Sequence, residues 1–226
     1  MASLAAPKEI GVDEYYTDDK FDNEGLFAPP NDGDGWDVLM NDPGKFQMWR
    51  KLVPGTQVYE YKCIGTSAAP SAEIFVKAAF LDLEYHKEWD TNCIDIGLID
   101  TNDAGVEWVY WEVKYPWPMS NRDYVYSRRH FVKDGVQFQR SRTETHPSKP
   151  AEKGKVRVDL YRCDVAIRDL KNGRCEYGSR AVDDPKSVIP STILNYIIAK
   201  TIPTAMASLE TACKNYDGWK KKRAQQ

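Results

Sequence analysis

The segment VYWEVKYPWPMSNRDYVYSRR, Val109 to Arg129, holds the residues best suited to chemistry in this chain. It reads as two β-strands around a tight connection at Pro116, Pro118 and Asn121. Strand side chains alternate between faces, so Val109, Trp111, Val113 and Tyr115 share one face while Tyr110, Glu112 and Lys114 share the other. Tyr124 and Tyr126 share a face after the turn. Rings from neighbouring strands can then converge on one concave surface. Ring faces attract cations through their quadrupole, and a quaternary ammonium, which has no N–H to donate, is the ligand such a surface suits.

Acid–base chemistry has candidates in His86, Asp90, Glu112, Asp123 and Tyr124, but no motif organises them. The chain has no GxSxG elbow, HExxH, P-loop or GxGxxG fingerprint. His86, His130 and His146 share no metal-ligand spacing. The acidic pairs Asp18-Asp19 and Asp183-Asp184 read as solvated loop residues. Arg122 and Asp123, adjacent in an NRD motif, read as a buried charge pair.

The elements that must position these residues follow from pattern. Trp36–Met40, Phe46–Leu52 and Gln57–Gly65 are strand-like. Pro70 suits a first helical turn, and Ile74, Phe75, Ala78 and Leu81 repeat behind it at helical spacing. Leu83 to Asn92 continues as a short helix or turn. From Ile94 to about Val182 the chain is strand after strand, with hairpin tips expected at Lys133-Asp-Gly135 and Lys171-Asn-Gly173. A long helix closes the chain: Pro190 opens it, Ile193, Leu194, Ile197, Ile198 and Ile202 stripe it, and Pro203 kinks it. Runs of strands followed by a helix indicate an α+β fold with a mainly antiparallel sheet.

Composition sets the outer bounds. The chain has 226 residues, enough for one domain with a substantial core. A net charge of −3 argues against a nucleic-acid partner. The start MASLAAPKEIG lacks the basic end and apolar run of a secretory signal, and no apolar run reaches the length of a membrane span. Five scattered cysteines form neither a disulfide framework nor a metal motif, which points to a reducing cytosol. Residues 1–33 read as an acidic extension with a short helix around Asp13 to Phe21, and 218–226 as a basic tail.

Residues 34–217 resemble the START lipid-transfer family, and within it the phosphatidylcholine-carrying members. The resemblance rests on VYEYKCIG (Val58–Gly65), YxKxWD (Tyr85–Asp90), VYWEVKYPWPMSNRDYVY (Val109–Tyr126), VRVDLY (Val156–Tyr161) and IPSTILNYIIAKTIP (Ile189–Pro203). It implies a helix-grip fold: a curved sheet of about nine strands around a long C-terminal lid helix, with one phospholipid in an internal cavity. No cofactor is implied beyond that cargo. The implied partners are the phospholipid and a transiently contacted membrane surface, and the implied state is a cytoplasmic monomer without enzymatic activity. Trp111, Tyr124 and Tyr161 match the family's choline cage. Tyr161 departs from simple alternation, which groups it with Arg157 and Asp159. His86 stands where the phosphate-binding arginine is expected, with Asp90 retained four residues on. Histidine is only partly protonated near neutrality and lacks arginine's fork, so the headgroup stays open between choline, ethanolamine, a sphingolipid or a sterol-like cargo. Lys87 is the alternative phosphate cation. Trp219, Lys220, Lys221, Lys222 and Arg223 form an aromatic–basic cluster suited to anionic membrane surfaces. A lipid sensor without bulk transfer is the remaining alternative.

Overall fold

Turn chemistry and alternation fold the middle of the chain into one sheet. A computed structural model describes residues 23–186 and 200–225. Its elements are a short helix α1 (Asn23–Phe27) and strands β1 (Asp37–Asp42), β2 (Phe46–Leu52) and β3 (Tyr59–Ser67). Helix α2 (Ala72–Val76) widens into a π-type turn at Lys77–Leu81 and is followed by α3 (Leu83–Trp89). Strands β4 (Cys93–Thr101), β5 (Glu107–Val113), β6 (Arg122–Lys133), β7 (Val136–Thr143), β8 (Val156–Val158), β9 (Tyr161–Asp169) and β10 (Cys175–Asp183) come next, and α4 (Ile202–Arg223) closes the described chain.

The strands form a ten-stranded sheet in the order β1-β2-β3-β10-β9-β7-β6-β5-β4, with β8 lying parallel to β6 beside that path. All other pairings are antiparallel, and the sheet does not close into a barrel. Both expected hairpin tips are present. At the β6–β7 tip Asp134 and Gly135 take positive φ, 51° and 77°, the conformation a two-residue hairpin with matching twist demands.

Sheet and helices grip one core. Ser71 caps α2 by accepting from the Ile74 N–H at 3.1 Å, so Pro70 precedes the cap instead of sitting in the first turn. Asp82 caps α3 in the same way through Tyr85 N–H. Leu209, Ala212, Cys213 and Tyr216 recur at helical spacing along α4 and bury against Phe75, Ala79 and Tyr85 from the α2–α3 segment and Val165, Ile167 and Tyr177 from the sheet. The Tyr85 hydroxyl donates to Ala212 O at 2.7 Å, tying α3 to α4. On the opposite face of the sheet α1 lies directly on Gly178, where a Cβ would collide with the Leu26 carbonyl.

Pro203 stands in the first turn of α4, with residues 200–201 in a wider π-type turn before it. Pro190 and the stripe residues Ile193, Leu194, Ile197 and Ile198 lie outside the described residues, as does the helix expected around Asp13 to Phe21. Ile202 is the first residue of α4 and is half-buried.

Candidate functional site

The β5–β6 pairing sets Trp111 opposite Tyr124, so two large rings share one face of adjacent strands. Their centroids are 5.3 Å apart. Tyr161 comes next, 5.5 Å from Tyr124 and edge-on to it, with Tyr126 5.7 Å from Tyr161. The structure therefore brings Trp111, Tyr124 and Tyr161 together. Tyr161 reaches this face because alternation is interrupted ahead of it. β8 ends at Val158, residues 159–160 belong to no strand, and Tyr161 starts β9 in a fresh register. Counting parity from Arg157 fails across that break.

Tyr124 and Tyr126 are buried in a hydrophobic cluster with Ile96, Val109 and Val158, and Trp111 and Tyr161 pack against it. Burial pushes the Tyr161 hydroxyl well above its ordinary range and the neighbouring Cys163 thiol up to about 12. Cys63, on β3, is raised to about 11, again by burial above all. Yet Trp111, Tyr161, Cys63 and Cys163 all keep accessible surface. Two polar atoms at this surface have no hydrogen-bond partner among the described residues: Trp111 Nε1 and Asp183 Oδ1.

His86 stands on α3 beside the rings, its imidazole 6.1 Å from Trp111 and 5.0 Å from Trp89. Its Nδ1 contacts Ala79 O at 2.8 Å and its Nε2 contacts Asp90 Oδ2 at 3.1 Å. Both partners are oxygen atoms, the Ala79 carbonyl and the Asp90 carboxylate. Burial opposes ionisation of Asp90, but hydrogen bonds from His86 and the Asn92 N–H outweigh it and hold the carboxyl below its usual range. Lys87 points away and pairs with Asp95 at 2.7 Å.

Two sequence readings need correction. Asp183 is not a solvated loop carboxylate. It ends β10 directly opposite Tyr161, and its Oδ2 accepts from the Tyr124 hydroxyl at 3.2 Å. Burial raises its carboxyl to about 6; Tyr124 and Arg122 pull down and Asp184 pushes up. The signal was in the chain: Tyr177, Ser179 and Ala181 precede it at period two on the same face. Nor do Arg122 and Asp123 pair with each other, because neighbours on a strand point to opposite faces. Asp123 takes two hydrogen bonds from Arg157, at 2.7 and 3.1 Å. Arg122 donates to Ser120 O and Pro185 O and stacks 4.3 Å over the Tyr115 ring.

Trp219, Lys220, Lys221, Lys222 and Arg223 belong to the last turns of α4. Trp219 donates to Glu88 at 2.8 Å, Lys220 pairs with Asp82 at 2.9 Å and Arg223 with Glu84 at 2.6 Å. Trp117, in the β5–β6 connection, is 91% exposed, an outward-facing aromatic that strand alternation did not single out. Among the described residues no group of histidine, cysteine and carboxylate side chains is arranged to hold a metal ion. Nor is any described helix long and apolar enough to cross a membrane.

Comparison with known proteins agrees with this architecture. Residues 31–220 match the START domain. Phosphatidylcholine transfer protein from Bos taurus is 32% identical over 196 residues, covering 84% of this chain and 90% of that protein. The mitochondrial StAR-related lipid transfer protein 7 of Mus musculus is 31% identical over 209 residues; the match covers 89% of this chain but 55% of that relative, so the chain spans about half its length. The crystal structure of human STARD10 superposes with a TM-score of 0.73 at 24% identity, covering 88% of this chain and 85% of that one. A match to the START domain along most of the chain, with a relative above 30% identity, places this protein in the START family.

Proposed function

We propose that this protein carries a single phospholipid, phosphatidylcholine, between membranes, with the choline held by Trp111, Tyr124 and Tyr161. The observation that carries the reading is the cluster of these three rings at 5.3 and 5.5 Å, of which Trp111 and Tyr161 keep some accessible surface. A trimethylammonium offers no N–H, and ring faces supply about 0.5–2 kcal/mol per contact, most when water is excluded. His86 and Asp90 form the phosphate side of the site. A buried phosphate diester needs charge compensation, and His86 is the basic side chain that stands beside the rings.

No bond chemistry is required of a carrier. Exposing two acyl chains to water costs on the order of 20 kcal/mol at ~0.8 kcal/mol per methylene, so replacing the bilayer with an apolar void removes most of the barrier to transfer. The protein acts as a cytosolic monomer that touches membranes transiently. Its five cysteines are all free thiols, as suits a reducing compartment. The test is native mass spectrometry of the purified chain, followed by lipid extraction and a vesicle-to-vesicle transfer assay with labelled phosphatidylcholine. One co-purifying phospholipid and measurable transfer are expected. Loading without transfer rejects the carrier in favour of a sensor. His86→Leu lowers loading of phospholipid relative to diacylglycerol, and equal loading of the two rejects the phosphate role.

A further inference from the structure

The rings account for attraction to a cation but leave one charged group at the same site unexplained. Asp183 adjoins two of the three rings: it lies directly across the ladder from Tyr161, and it accepts the Tyr124 hydroxyl proton at 3.2 Å. Directly opposed residues on one face of an antiparallel pair bring their Cβ atoms to about 4.5–5.5 Å, so the carboxylate is at the wall of the ring cluster. Its second oxygen, Oδ1, is shielded from solvent and has no hydrogen-bond partner among the described residues. An orphaned, buried carboxylate oxygen is costly unless a ligand satisfies it.

We propose that Asp183 is the anionic wall of the headgroup pocket and makes it select lipids whose headgroup carries a cationic nitrogen. This rests on the carrier reading above and deepens it. A trimethylammonium neutralises Asp183 through space, and a primary ammonium can also donate to Oδ1. A headgroup without a cation leaves a buried negative charge uncompensated and adds its own phosphate charge to the same void.

The neighbours of Asp183 support this assignment. β3 offers Tyr59 across the ladder and Tyr61 beside it, and β9 offers Tyr161 and Cys163. Tyr124 comes from β6 and Tyr115 from the β5–β6 connection, and Asp184 follows in the chain. Among these groups the cation is Arg122, whose guanidinium donates to the Pro185 and Ser120 carbonyls. Asp184 is engaged by Lys186 at 3.1 Å. Burial first of all lifts the Asp183 carboxyl to about 6, so it changes charge near neutrality. A bound cation favours the carboxylate. Preference for cationic headgroups is therefore full above about pH 6 and lost as the pH falls through that value.

The experiment loads the full chain from vesicles of phosphatidylcholine and phosphatidylglycerol with identical acyl chains, re-isolates the protein and measures the ratio of the two lipids. Both lipids carry the same phosphate diester, so any contribution of His86 to phosphate binding cancels in the ratio. Wild type is expected to favour phosphatidylcholine by about tenfold or more at about pH 7.5, the scale set by one cation contact in a desolvated site. Asp183→Asn is expected to lower that preference severalfold, leaving the share the rings supply, while total loading persists, and lowering the wild type to about pH 5 to do the same. A ratio in Asp183→Asn equal to that of wild type overturns the proposal. Should that variant fail to fold, a wild-type ratio that holds steady between the two pH values overturns it instead. A wild type that loads both lipids equally also rejects it while leaving the carrier intact, whereas a wild type that loads neither rejects the carrier and Asp183's role together.

Discussion

The two faces of the β5–β6 pair are built from the same strands and treat polar groups in opposite ways. On the outer face Glu112 Oε2 pairs with Lys155 Nζ at 2.7 Å, Lys155 also donates to the Tyr110 hydroxyl at 3.0 Å, and Lys149 lies 4.4 Å over the Tyr110 ring. Hydrogen bonds from Lys155 to Glu112 and then Tyr110 hold its ammonium well above its usual range. Asp123 is chelated by Arg157, which also donates to Lys149 O at 3.0 Å. On the inner face Trp111 Nε1 and Asp183 Oδ1 have no hydrogen-bond partner among the described residues. A buried polar group left unpaired costs about 1–3 kcal/mol, and a fold that saturates one face can saturate the other. The contrast separates polar groups that hold β8 and its loop onto the sheet from the polar groups to which the proposal assigns a ligand.

The outer face should break hardest. Asp123→Ala strands Arg157 opposite a void and is expected to cost about 3–5 kcal/mol of unfolding free energy, read from urea denaturation. A loss under about 1 kcal/mol would show that Arg157 finds water readily and that this face is not the structural one. At the inner face the sign reverses. A carboxyl raised by burial adds stability when protonated and loses it as pH rises through its folded value, so Asp183 weakens the lipid-free protein at neutral pH. With the group raised from 3.8 to about 6, Asp183→Asn is expected to stabilise the empty protein by about 3 kcal/mol at pH 7.5, an advantage that fades below about pH 5. A melting temperature that drops at pH 7.5 would place Asp183 among the structural charges.

Trp111→Ala sharpens the same contrast from the ring side. Phosphatidylcholine loading is expected to fall about tenfold, for one desolvated ring contact of ~1–2 kcal/mol, with phosphatidylglycerol loading changed less. Equal losses for both lipids would mean that the indole fills space and does not hold a cation.

Much of the sheet was legible because period-two alternation and glycine turns are local signals. Phe46–Leu52 and the tips at Gly135 and Gly173 needed nothing from the rest of the chain. That rings from these two strands converge was legible from the same alternation, whereas the membership of Trp111 and Tyr124 in one cage came from resemblance. Tyr161 was not legible by alternation, because the two residues after β8 reset it, and its place in the cluster came from resemblance alone. Asp183 was misread because an Asp-Asp-Pro run has the composition of a loop, although β10 carries it to its last residue. Arg122 and Asp123 were misread by treating sequence neighbours as spatial neighbours, when alternation sends them to opposite faces. The misreadings at Asp123 and Asp183 share a cause. Charged residues were judged by their immediate neighbours, while their partners, Arg157 and Tyr124, arrive from 34 and 59 residues away.

The same distinction between engaged and available charge recurs, at smaller scale, on the last turns of α4. Lys220 and Arg223 are committed to Asp82 and Glu84, and both lie 5.4 Å from the Trp219 ring. Lys221 and Lys222 are exposed and have no ion pair among the described residues. A membrane surface recruits a free cation without breaking an existing pair, so a docking role for this cluster would fall chiefly on these two. Each cation near an anionic surface contributes about 1 kcal/mol. The double variant Lys221→Gln/Lys222→Gln is therefore expected to slow transfer from anionic vesicles by about five- to tenfold and to leave transfer from neutral vesicles unchanged. Lys220→Gln should act differently, loosening α4 from α3 by less than about 1 kcal/mol as an exposed pair does, with little dependence on vesicle charge. Equal slowing by the double variant on neutral and anionic vesicles would remove electrostatic docking from this helix and leave exposed Trp117 as the remaining described aromatic positioned to meet a bilayer.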